Sequence, residues 1–264
     1  MKSNVCLIDT SKCIGCRACQ AACKQWNQLP AEKTEFVGTY ENPAHFSCST
    51  WTKVVFREYE ENNRVNWMMA KQGCMHCTDA ACKQACPTGA ISHTEEGIVV
   101  IDEIKCIGCN YCAAVCPFHV IGFDRSTNRA KKCTFCYDRI SNDMEPACAA
   151  ACPTGAIVFG NQREIISLAS QREMELQNGK YPNATIYGLN EVGGTGMLYV
   201  LTDRPEKYAL PEDPQVPLKA RIWNAIFGPI RILVVIAVGF GLWANYSKNK
   251  ELDEGKKKKE EDSE

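Results

Sequence analysis

The chain has 264 residues and near-balanced charge, 30 Lys and Arg against 31 Asp and Glu. That balance excludes nucleic-acid binding by bulk electrostatics. Eighteen cysteines in a chain of this length, with no signal peptide ahead of them, argue against a disulfide scaffold, which is typically short and secreted.

In chain order the first feature is a group of four cysteines, Cys13, Cys16, Cys19 and Cys23, spaced C-x2-C-x2-C-x3-C. An insert over 24–73 follows, too long for a plain loop. Its second half alternates, with Trp51, Val55 and Tyr59 separated by Lys53 and Arg57. Glu60 to Asn63 is a polar turn and Val65 to Ala70 returns, which predicts a covering hairpin. Trp26, Trp51 and Trp67 read as packing residues. The second group is Cys74, Cys77, Cys82 and Cys86, and the third is Cys106, Cys109, Cys112 and Cys116. Arg125, Arg129, Lys131, Lys132 and Arg139 read as a solvated basic face, the alternatives being a positive field that raises the potential of a neighbouring cysteine-bound group or salt bridges to a partner subunit. The fourth group is Cys133, Cys136, Cys148 and Cys152, whereas Cys6 and Cys48 stand outside the pattern and read as buried or incidental. Gln162 to Gln177 has helical spacing and stops near Gly179; Met197 to Leu201 predicts a short strand. Gly193-Gly194-Thr195-Gly196 lacks the Lys and the following helix of a phosphate loop. Glu206 to Pro217, rich in Pro and charge, reads as a linker.

The spacing carries the chemistry. C-x2-C-x2-C-x3-C-P is the run in which three thiolates hold one [4Fe–4S] cube and the fourth reaches a neighbouring cube. Soft thiolates suit zinc as well, but structural zinc sites are built from two separated pairs without a third cysteine or a trailing C-P. Groups one and three share CIGC; groups two and four share CPTGAI. Two runs make one two-cluster module, each run donating its last cysteine to the other's cube. Groups two and three are contiguous enough to form one module over 74–123, and groups one and four close a second around it, 1–23 with 133–160. The expected cubes are Cys13, Cys16, Cys19 with Cys152; Cys133, Cys136, Cys148 with Cys23; Cys74, Cys77, Cys82 with Cys116; and Cys106, Cys109, Cys112 with Cys86. The fold class expected is α+β: two nested bacterial-ferredoxin-like modules over 1–205, with the insert at 24–73. No catalytic constellation stands out, and His45, His76, His93 and His119 read as supporting or surface residues.

Residues 218–247 predict a membrane anchor helix and 248–264 a charged tail. From about Pro229 to Tyr246 the helix has 18 residues, roughly 27 Å, enough for a bilayer core. Arg231 near one end can snorkel, and Trp223 and Trp243 suit the interfaces. The lysines after the helix predict a cytoplasmic tail and a cluster domain on the outer, periplasmic side of the inner membrane. With no signal peptide or twin-Arg run, the domain is expected to cross folded, carried by a partner that has the export signal.

The stretches CIGCRACQAAC, GTYENPAHFS with Trp51, GCMHC, CIGCNYC, CPFHVI, KKCTFC, EPAC, CPTGAI, VGGTG and MLYVL, with the C-terminal helix, resemble the iron–sulfur (beta) subunit of membrane-bound respiratory formate dehydrogenases. That resemblance implies a non-catalytic electron conduit with four [4Fe–4S] clusters. It would run from a large molybdenum- or tungsten-pterin catalytic subunit to a membrane cytochrome b subunit and quinone. The same conduit in a membrane hydrogenase or a polysulfide or other anion reductase is the alternative.

Overall fold

The computed structural model describes residues 4–61, 63–223, 237–238 and 240–246. The chain divides into two units, Met1–Ala220 and Arg221–Glu264. Among the described residues of the first, ten strands run β1 (Asn4–Asp9), β2 (Thr52–Glu61), β3 (Arg64–Gly73), β4 (Ile91–His93), β5 (Val99–Ile101), β6 (Gly122–Asp124), β7 (Arg129–Lys131), β8 (Ile157–Asn161), β9 (Thr185–Tyr187) and β10 (Met197–Leu201). The helices are α1 (Ala18–Trp26), α2 (Ala81–Gln84), α3 (Tyr111–Val115), α4 (Tyr137–Ile140), α5 (Ala147–Ala150) and α6 (Gln162–Gln177).

One four-stranded sheet has the order β8-β1-β10-β9, with β1 parallel to β10 and the outer pairs antiparallel. Its two faces are both buried, which explains why MLYVL is an unbroken apolar run. Val5, Leu7, Leu198 and Val200 face Ile165, Ala169 and Leu176 of α6. The alternate residues Cys6, Ile8, Met197, Tyr199 and Leu201 face the other way, into a core that holds Cys19 and Cys148. Helix α6 occupies the span its periodicity predicts, and Asn161 caps it by accepting the Arg163 N–H at 3.0 Å.

The covering hairpin is β2–β3, antiparallel over its full length from Thr52↔Gly73 to Glu61↔Arg64. It departs from simple alternation: Val54 and Val55 are both buried, and so is Lys53. Lys53 is accommodated because Glu41 meets its ammonium at 2.5 Å while also pairing with Arg57 at 3.2 Å. The segment 206–217, expected as a linker, instead packs onto the domain. Tyr208, Leu210 and Val216 are buried. The Tyr208 hydroxyl bonds Thr10 at 3.0 Å and Thr202 at 2.6 Å, and Gln72 donates to its carbonyl at 2.6 Å. Composition suggested a spacer, but three apolar residues among the prolines supply an anchor. The glycine run at 193–196 joins the second cysteine loop through the N–H groups of Thr78 and Asp79, which donate to Gly194 and Val192 at 2.8 Å.

The anchor expected over 218–247 lies largely outside the described residues, as does the tail at 248–264. Residues 218–223, 237–238 and 240–246 are helical, and among the described residues no helix is long and apolar enough to cross a membrane.

Candidate iron–sulfur centres

Each cysteine group places its third or fourth thiol on a short helix. Cys19 and Cys23 lie on α1, Cys82 on α2, Cys112 on α3 and Cys148 on α5. Helix α1 packs on α5 and α2 on α3, so group one meets group four and group two meets group three. Both CIGC turns require left-handed backbone at the same places. Gly15 (φ 67°) and Arg17 (φ 63°) in the first match Gly108 (φ 72°) and Asn110 (φ 59°) in the third. His76 (φ 50°) and Phe135 (φ 60°) hold equivalent places in groups two and four, and their rings stack edge-on at 4.9 Å.

Two similar cavities lie among the cysteine loops beside these helices. Cys13, Cys16, Cys19 and Cys152 line the first. Cys86, Cys106, Cys109 and Cys112 line the second. Two further groups lie deeper. Burial pushes the Cys133 thiol up, reinforced by Cys23, opposed by Lys71 and reinforced again by Cys74 and Cys136. Burial holds Cys136 up at about 11 against the Ala147 N–H, with Cys148 and Cys23 adding to it. Cys23, Cys133, Cys136 and Cys148 are all buried, and the helices that carry Cys23 and Cys148 pack on each other. Cys82 is likewise raised by burial, opposed by Lys132 and reinforced by Cys74 and Cys116. Cys77 is half-buried in the same cluster of side chains as Cys74, Cys82 and Cys116. The four groups follow one another in a row: Cys19 and Cys148 share one cluster of packed side chains, and Cys23 and Cys133 share another with Cys74, Cys82, Cys112 and Cys86. Both ends reach the surface, where Cys16 and Cys109 are exposed beside Ile14 and Ile107.

The C-P turns explain themselves as sulfur-binding loops. Burial raises the Cys86 thiol, but the Thr88 hydroxyl and the N–H groups of Ile91, Thr88 and Ala90 outweigh it and leave the pKa below that of an ordinary thiol. Cys152 is held down in the same way, by Ile157, Thr154 and Ala156. At Cys116 the turn supplies Val120, Phe118 and His119, yet burial prevails and the thiol is raised. Group one has no proline. There α1 runs on past Cys23, and the side chains of Thr52 and Asn27 reach its sulfur instead, with Asn27 Nδ2 at 3.8 Å.

None of the eighteen cysteines forms a disulfide. Among the described residues no three His, Cys, Asp or Glu side chains converge closely enough to hold a single metal ion. Thiols that line a common cavity without meeting suit a body larger than one ion, such as a cube. Soft sulfur donors and the inward N–H groups fit a [4Fe–4S] cluster.

Three further side chains belong to this region, of which sequence reasoning missed the first. Lys71 is fully buried and lines the first cavity. Lys132, assigned to a solvated basic face, is also buried and donates to the carbonyls of Val99 and, at 2.9 Å, Cys133. Its neighbour Lys131 does face outward, to Glu103. Cys6 is fully buried in β1, and its thiol is raised by burial and by Cys148. Of the tryptophans, Trp51 is buried; Trp26 lies under the Arg139 guanidinium at 4.3 Å and Trp67 against Tyr40 at 5.1 Å. His76 accepts the Val99 N–H at 3.2 Å and His93 lies 3.0 Å from the Cys77 carbonyl.

Comparison with known proteins agrees with this chemistry. Residues 65–162 match the family model described as a 4Fe-4S dicluster domain. The nitrate-inducible formate dehydrogenase iron-sulfur subunit of Escherichia coli is 44% identical over 255 residues, 94% of this chain and 87% of that one. The formate dehydrogenase iron-sulfur subunit of Haemophilus influenzae is 44% identical over 91% of this chain and 78% of its own. The thiosulfate reductase electron transfer subunit of Salmonella typhi is 36% identical over 73% of this chain and 95% of its own. With four thiol groups, a ferredoxin-like domain and relatives of this kind, the chain belongs to the family of formate dehydrogenase iron–sulfur subunits, electron-transfer proteins that carry [4Fe–4S] clusters and perform no catalysis themselves.

Proposed function

We propose that this chain is the four-cluster electron conduit of a membrane-bound formate dehydrogenase. It takes electrons from a molybdenum- or tungsten-pterin catalytic subunit and delivers them to a membrane cytochrome b subunit and quinone. The observation that carries the reading is the row of four thiol groups with exposed ends, an entry and an exit joined through a buried middle. The ligand sets are Cys13, Cys16, Cys19 and Cys152; Cys23, Cys133, Cys136 and Cys148; Cys74, Cys77, Cys82 and Cys116; and Cys86, Cys106, Cys109 and Cys112. Each bound cube supplies one-electron redox chemistry. The protein's own part is to hold the thiolates, exclude water from the middle groups and aim N–H donors at the sulfurs.

An inner-membrane location, with the cluster domain on the periplasmic side and the tail in the cytoplasm, is part of the same proposal. It is supported by the apolar run that precedes the charged tail and by Val238, Phe240, Leu242, Trp243 and Tyr246, all more than half exposed on helical backbone. The relative from thiosulfate reductase favours a second reading, the same conduit beside an anion reductase. The test is to extract membranes in mild detergent, isolate the complex that contains this chain, and assay iron, molybdenum, tungsten and formate-dependent dye reduction. A pterin subunit, a haem b subunit and formate activity are expected. A reductase partner with no formate activity would replace formate as the source of electrons.

A further inference from the structure

Two fully buried ammonium groups lie within the row of thiols and have no carboxylate partner. Lys71 is 1% exposed and Lys132 is 3% exposed. The hydrogen-bond partner of the Lys71 ammonium is the thioether of Met197, at 3.8 Å, a weak acceptor. Lys132 bonds two backbone carbonyls. Among the described residues neither forms an ion pair, in contrast to Lys53, which is less deeply buried and held by Glu41. An uncompensated buried charge is among the costliest features a fold can carry, so each of these must be balanced by negative charge nearby.

Near Lys71 stand several cysteines and Tyr199, whose hydroxyl burial pushes up to about 12 and so keeps neutral, which leaves the iron-binding thiolates to supply the charge. Lys71 lines the cavity of Cys13, Cys16, Cys19 and Cys152 and also acts on Cys23 and Cys133. Lys132 is bonded to the carbonyl of Cys133 and acts on Cys82. Each ammonium therefore stands between two consecutive groups of the row: Lys71 between the first and second, Lys132 between the second and third. A cube held by four thiolates is anionic and gains one further negative charge on reduction. A fixed cation beside it stabilises the reduced form more than the oxidised one.

From this placement we infer that Lys71 and Lys132 are fixed counter-cations shared by neighbouring clusters, which raise the potentials of the first three clusters in the row and leave the fourth, at Cys86, Cys106, Cys109 and Cys112, without such help. They are positioning residues for electron transfer and touch no substrate. The inference rests on the ligand sets proposed above.

The experiment is a potentiometric titration followed by electron paramagnetic resonance, on the iron-loaded full chain in its complex, comparing the native protein with Lys71→Met and Lys132→Met. Lys71→Met is expected to lower the ratio of reduced to oxidised cluster at fixed potential at least tenfold, about 59 mV for a one-electron couple, in two clusters of the four. Lys132→Met is expected to do the same in two, one of them shared with Lys71→Met. Potentials that stay put, or that shift equally in all four clusters, overturn the inference. Where a variant loses its iron, native protein labelled with 15N at lysine Nζ decides the matter. A 15N hyperfine coupling on the reduced clusters upholds the placement, and its absence overturns it. Failure of the ligand sets gives a different result: native protein with fewer than four cubes.

Discussion

Removing the Thr88 and Thr154 hydroxyls tests how the C-P turns set the outer clusters. Each Thr Oγ1 lies beside the sulfur of the cysteine two residues before it, at 3.6 Å for Cys86 and 3.7 Å for Cys152. Valine replaces threonine with nearly the same shape, so Thr88→Val and Thr154→Val delete one donor each and little else. A hydrogen bond to a charged acceptor contributes about 1.5–3 kcal/mol. Only the part that strengthens when the cube gains an electron affects its potential. Taking that part as about a third gives ~0.5–1 kcal/mol, and with about 1.4 kcal/mol and 59 mV per tenfold change, the potential falls by about 20–45 mV. Solvent reaches both turns and partly replaces the lost donor, which favours the lower half of that range. The assay is the same spectroscopic redox titration. Because Cys86 and Cys152 lie at opposite ends of the row, each substitution should move one cluster, and not the same one. Potentials that rise, or one cluster responding to both substitutions, would refute the reasoning.

Other outcomes follow from the same geometry. Gly15 and Gly108 have equivalent left-handed conformations, but a Cβ at Gly15 would meet the flexible Met69 and Phe56 side chains, whereas at Gly108 it would come within 2.4 Å of the Asn128 carbonyl. Gly108→Ala should therefore cost more than Gly15→Ala, by ~1–3 kcal/mol, measured as the difference in thermal midpoints of cluster bleaching; equal loss would count against it. Glu41→Ala leaves Lys53 buried without its partner, for a loss of about 3–5 kcal/mol, visible as a lower denaturation midpoint. Chelation of iron should unfold most of the domain, since metal binding and folding are coupled here; a native-like near-UV circular dichroism spectrum after iron removal would contradict this. Burial raises Cys19 to about 12 and Cys112 to about 12. Ligation requires the thiolate, so protons compete with iron, and the clusters should be lost progressively as pH falls and held more tightly as it rises. Visible absorbance against pH checks the sign.

The cysteine groups and the span of α6 were legible because each is written in a short window: ligand spacing in one, a 3.6-residue period in the other. Strand β1 was not, since NVCLID resembles any apolar stretch until β10 is known to lie beside it, and Cys6 pairs with Met197 far along the chain. Nor could composition separate Lys131 from Lys132. The two are adjacent and identical, yet the backbone turns one toward Glu103 and the other into the core. The segment 206–217 was misjudged for a related reason: proline and charge describe its surface, whereas Tyr208 and Leu210 decide its placement. In each case the missing information is a contact with a distant part of the chain, which local propensity does not contain.

The nesting of one module inside the other has a consequence for how the protein is made. Cys13, Cys16 and Cys19 leave the ribosome first, yet the fourth thiol of their cavity belongs to Cys152, and β1 cannot take its place in the sheet until β10 has emerged. At ~5–20 residues per second, the early thiols wait roughly 7–30 s for that partner. In the meantime groups two and three are already complete and offer Cys86, on an equivalent turn, as a competitor for Cys152. Iron delivered before Cys152 has emerged would therefore meet a set of thiols open to closure by the wrong cysteine.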